Sequence, residues 1–77
     1  MPNVAPQPRE RVVRALTRAH GCTLSREGAR HTVYVKAGVP EPIVLPRHRE
    51  ISPGVIRNIC KILGVSVAGF LETLRNC

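Results

Sequence analysis

Apolar and polar positions recur along this chain with two periods, one helical and one of two residues. Val12, Leu16 and Ala19 repeat at helical spacing with Val13 beside them, while Arg11, Arg14 and Arg18 lie mostly off that stripe. The pattern predicts an amphipathic helix with a basic outer face. Pro8 suits its first turn, and Gly21 stops it. Residues 1–7 hold two prolines and no periodicity, and they read as a disordered N-terminal arm. Residues 22–27 alternate loosely, as a short strand does, and Gly28 with Ala29 makes a tight connection. Residues 31–36, His-Thr-Val-Tyr-Val-Lys, form the clearest strand in the chain, rich in β-branched residues. Residues 37–42 read as a turn, and residues 43–46 as a third strand closed by Pro46. The stretch 47–52 is a basic loop. Ser52 and Pro53 then carry the cap and first-turn signature of a helix bearing Val55, Ile56, Ile59 and Leu63, ended by Gly64. Ser66 opens a last short helix with Val67, Phe70, Leu71 and Leu74.

This order, α-β-β-β-α with a short extra C-terminal helix, predicts an α+β fold. Three consecutive strands with short links form an antiparallel meander, and the helices supply the apolar stripes that cover one face. The expected architecture is a two-layer sandwich in a single domain over residues 8–77. The opposite sheet face, or one edge of the layers, is left free for a ligand. A chain of 77 residues buries a modest core. No internal pocket for an organic cofactor is expected, and any chemistry belongs on a shallow surface.

Charge changes the picture most. Twelve Lys and Arg oppose five acids for a net charge of +7, and ten of the twelve are Arg. Guanidinium groups donate paired hydrogen bonds to phosphate oxygens, so the composition points to a nucleic-acid partner. An acidic protein partner, or a solubilising surface, is the alternative. The only aromatics are Tyr34 and Phe70, too few for a sheet that stacks several bases, so recognition through shape and phosphate is the expected mode. Cys22, Cys60 and Cys77 are odd in number and widely spaced, which suits reduced thiols in a cytoplasm rather than a disulfide framework or a zinc site. No apolar run reaches membrane-spanning length and no signal peptide is visible, so no membrane association is expected.

Two stretches concentrate the candidate chemistry. One is Gly28-Ala29-Arg30-His31-Thr32-Val33-Tyr34. The other runs from Val44-Leu45-Pro46-Arg47-His48-Arg49 to Pro53-Gly54 and the helix that follows. Together, over roughly residues 9–74, they resemble the HicA family of toxins, the YcfA-like mRNA interferases of bacterial toxin–antitoxin pairs. The matching residues are Gly28, His31, Val33 and Tyr34, then Leu45, Pro46 and His48, then Pro53, Gly54, Ile59, Leu63 and Gly64. The commoner family motif places glycine two residues before the histidine. Here Arg30 directly precedes His31, a Gly-x-Arg-His variant. The resemblance implies a fold like that of double-stranded-RNA-binding domains and an endoribonuclease activity on mRNA with His31 as the catalytic residue. It also implies a cognate HicB-like antitoxin, with no metal and no small-molecule cofactor. Gly28, Tyr34, Pro46, Pro53 and Gly54 are then structural positions of the motif.

The chemistry is consistent with that role. Cleavage without a metal requires a 2′-hydroxyl to lose its proton and a 5′-oxygen to gain one, and histidine titrates near neutrality. The bland alternative for His31 is an ordinary half-buried strand residue. His48 is the candidate second acid or base, or else a phosphate contact or cap. Strict alternation sends Arg30 and Lys36 to the opposite face from His31. Arg47 and Arg49 are therefore the expected cations, with Arg57 and Lys61 completing a second basic cluster for RNA. His20, near the end of the first helix, suits the negative end of the helix dipole. Tyr34 reads as packing, with base stacking as the alternative. A non-catalytic RNA-binding module of the same fold and a basic protein-interaction domain are the competing functions.

Overall fold

The computed structural model describes residues 4–77. Its elements in chain order are β1 (Gln7–Pro8), α1 (Arg9–Arg14) continued by a π-helical turn (Ala15–Ala19), β2 (Thr23–Glu27), β3 (His31–Lys36), β4 (Val39–Pro46), β5 (Glu50–Ile51), α2 (Pro53–Leu63) and α3 (Val67–Arg75). The α+β sandwich expected from the periodicities is present. β2, β3 and β4 form an antiparallel sheet in that order. Thr32 and Tyr34 of β3 and Ile43 and Leu45 of β4 are buried, as alternation requires. Tyr34, Ile43 and Leu45 join Val12 and Leu16 of the first helix, Ile56 and Ile59 of α2, and Phe70 and Leu74 of α3 in one core. The other sheet face stays open, with Val44 50% and Val35 37% exposed.

Both C-terminal helices start as their sequences dictate. The Ser52 Oγ accepts from the Val55 N–H at 3.4 Å with Pro53 in the first turn, and the Ser66 Oγ accepts from the Gly69 N–H at 3.0 Å. Gly64 ends α2 in the left-handed region.

Four expectations are corrected. The disordered arm was placed on residues 1–7, of which 1–3 lie outside the described residues. Val4 is buried in the core, and Gln7 and Pro8 pair with Ile51 and Glu50. The segment expected as a basic loop over 47–52 thus contains β5, and its Arg49 carbonyl accepts from the Arg9 N–H at 2.9 Å. A two-residue bridge between distant segments leaves no periodic trace. The turn expected over 37–42 shrinks to Ala37 and Gly38, the latter at φ +84°. Pro40 and Pro42 are accommodated because β4 is an edge strand, where a missing N–H costs no ladder bond. Finally, Ala19 is exposed rather than on the buried stripe. The wider i→i+5 turn, closed by the His20 N–H on the Ala15 carbonyl at 3.1 Å, carries His20 to Phe70 instead.

Candidate active site and the arginine groove

The site grows from a tight turn. The Gly28 N–H donates to the His31 carbonyl at 2.8 Å, closing the β2–β3 connection. A Cβ at Gly28 would sit 3.1 Å from that carbonyl oxygen, so the position favours glycine through close approach. His31 is thereby set at the first position of β3, opposite Pro46 and exposed on the open sheet face. It lines a shallow hollow of about 270 Å³ with Arg26, Arg30, Val33, Val44 and the Gly28–Ala29 turn.

Two cations reach this hollow, Arg30 against expectation and Arg26 without having been singled out. Arg30 lies in the bend before β3, so strand alternation does not govern it, and it lines the same hollow as His31. Arg26 arrives through a register slip. Leu24 pairs with Tyr34 but Arg26 pairs with Val33, so Ser25 is an extra residue in β2. Unbroken alternation would have paired Arg26 with Thr32 on the helix side. The slip puts it on the open face beside His31. Nothing in the residue pattern of β2 announces this.

The family comparison is decided over most of the chain. The model of a family described as the HicA toxin of bacterial toxin–antitoxin matches residues 9–65. The chain belongs to the HicA toxin family. The matched stretch includes all three strands of the sheet and both main helices, leaving β1 and α3 outside it. No curated protein and no solved structure matched the chain. Membership makes this HicA-family protein the toxin component of a toxin–antitoxin system.

The other predicted residues are distributed by the fold. Arg47 closes over the turn. Its N–H donates to the Arg30 carbonyl at 3.1 Å, its Nε to the Gly28 carbonyl at 2.8 Å, and its Nη2 lies 3.1 Å from a Glu27 Oε1. It therefore holds the turn before His31 in place. Arg47 and Arg49 also line a second, wider groove of about 750 Å³, shared with Arg9, Arg14, Arg18 and Glu10 of α1 and its continuation. The basic face of the first helix was legible in the sequence, whereas its union with the 47–49 segment was not. His48 is exposed and lines neither hollow. Arg57 and Lys61 are exposed on α2, away from both. Tyr34 is buried on the helix side, so it packs the core and is not offered to a base. Pro46 ends β4 opposite His31, Pro53 occupies the first turn of α2, and Gly54 is exposed beside it.

Arg9 anchors the hollow from behind. Its Nη2 donates to the Thr32 Oγ1 at 2.8 Å and its Nε to the Pro46 carbonyl at 3.1 Å. Thr32 is the one buried polar side chain among the described residues, and it sits next to His31. His20 stands at the end of the first helix, where the sequence placed it. It is half-buried, its ring 5.6 Å from that of Phe70, and its Nε2 has no hydrogen-bond partner. Burial first, and the Lys36 ammonium second, hold its pKa below the ordinary value.

Proposed function

We propose that this HicA-family toxin is a metal-independent endoribonuclease that cleaves mRNA, with His31 as its catalytic residue. The observation that carries the reading is the exposed His31 at the edge of a hollow walled by Arg26 and Arg30. A phosphodiester seated there has its negative oxygens beside two guanidinium groups, which offset the charge that grows on phosphorus-bound oxygen. His31 takes the proton of the 2′-hydroxyl as the O2′–P bond forms and the P–O5′ bond breaks. The departing 5′-oxygen takes its proton from water, since His48 lies outside the hollow. The sequence shows no paired metal-ligand spacing, and the mechanism needs no metal. A HicB-like antitoxin is the proposed partner, and the cytoplasm, where mRNA is found, the proposed place of action. No helix among the described residues is long and apolar enough to cross a membrane.

The test is incubation of purified protein with mRNA in EDTA, beside His31→Ala. Cleavage by the parent and none by the variant is expected. Intact RNA, or equal cleavage by both, overturns the reading. RNA that is bound but never cut would identify a non-catalytic RNA-binding module instead.

A further inference from the structure

The wider groove is not used by the mechanism above. Five guanidinium groups, from Arg9, Arg14, Arg18, Arg47 and Arg49, face a single carboxylate, that of Glu10. Glu10 approaches Arg14 only at 3.9 Å, with its own side chain 82% exposed, so it swings clear of the groove at little cost. Arg9 is committed to Thr32 and Pro46, and Arg47 to Gly28 and Glu27, which leaves Arg14, Arg18 and Arg49 as the cations to receive a ligand. Pro8 and Val13 supply an apolar floor without base-reading groups.

We propose that this groove is a second RNA-binding site, one that holds the phosphate backbone of the substrate outside the cleavage hollow. It rests on the reading that RNA is the substrate. A small-molecule site typically encloses its ligand among a few convergent polar groups of both kinds, whereas this groove is open and its charged lining is five guanidinium groups against one carboxylate. Arg47 joins the two sites. It lines the groove while its Nε is bonded to Gly28 in the turn that lines the His31 hollow. An RNA strand leaving the hollow over Arg47 enters the groove, where Arg14 of α1 and Arg18 of its π-helical continuation lie about one turn apart.

The test uses a labelled single-stranded 20-nucleotide RNA and protein carrying His31→Ala, so that the RNA stays intact. In that background, Arg14→Gln/Arg18→Gln/Arg49→Gln is compared with Arg57→Gln/Lys61→Gln, which removes charge from α2 outside the groove. Each lost phosphate contact lowers the slope of log affinity against log salt by about 0.7, so the groove variant is expected to lose roughly 2 in slope and at least ~10-fold in affinity at 0.1 M salt. The α2 variant is expected to change both far less. Arg18→Gln/Arg49→Gln, confined to exposed side chains, replaces the triple variant if loss of Arg14 weakens the helix, and it should lose roughly 1.4 in slope. Parent-like binding by the groove variants overturns the proposal while leaving RNA as the substrate. An equal loss from the α2 variant also overturns it, reducing the effect to net charge. RNA that is neither bound nor cut by the parent overturns the functional reading and this site with it.

Discussion

At the scale of single residues, His31 depends on neighbours that do different work. Arg26 faces the hollow and is free of any ion pair among the described residues, so it is placed to stabilise charge. Arg26→Gln is expected to lower the kcat of RNA cleavage by about 100-fold, the order seen when one preorganised donor is removed from a reacting centre. Single-turnover kinetics with saturating protein would check this, and a change confined to KM would count against it. Arg9 works from the buried side. Arg9→Ala strips Thr32 and the Pro46 carbonyl of their donors and should cost about 1–3 kcal/mol, read as a lowered Tm. Arg9→Lys should recover only part of the loss, because one ammonium cannot reproduce a fork that bonds two separate acceptors. The place of His31 at a strand opening was visible in the sequence because Gly28 and the β-branched run mark it, whereas its candidate role came from the family resemblance. The parts played by Arg26 and Arg9 were not visible, since their roles depend on which distant atoms they meet.

At the scale of elements, β2 holds the device that builds the site. Its extra residue, Ser25, lets Arg26 share a face with Val33 while Glu27 remains opposite Thr32. Deleting Ser25 is therefore expected to be tolerated. The pairs from Thr23 to Glu27 stay matched, Tm moves by no more than ~5 °C, and cleavage persists. A strand with regular alternation would respond in the opposite way, with every residue on one side of the deletion turned to the wrong face. Thermal melts and a cleavage assay on the deletion variant separate the two cases. The helix starts at Ser52 and Ser66 were legible because caps are local chemistry. The pairing of β1 with β5, which ties residues 7–8 to residues 50–51, was not.

At the scale of the whole molecule, the titration of buried groups bounds the stable pH range. The His20 pKa is held down by burial and by Lys36, so the stability it contributes is complete above its ordinary value of 6.5 and is lost as pH falls through the lower folded value. Burial raises the Cys22 and Cys60 thiols, so their contribution is complete below the ordinary 9.0 and is lost as pH rises through the higher folded values. Urea unfolding across pH should show a plateau between about 6.5 and about 9, falling on both sides. His20→Leu is expected to flatten the acid limb while leaving the alkaline limb in place. An acid limb unchanged in that variant would assign the acid sensitivity to other groups. The net charge of +7 was plain in the composition, but its concentration along one groove is a property of the assembled fold.

The amino-acid sequence by itself determined the order of elements, the buried stripes, the strongly basic character and the histidine that opens the second strand of the meander. Each of these follows from periodicity, caps or composition, which act between near neighbours. The tertiary structure alone decided which cations stand beside His31 and which gather in the groove. A register slip, a bend outside the strand and a two-residue bridge between distant segments set those positions. Their energies come from partners far apart in the chain, so no local pattern carries them.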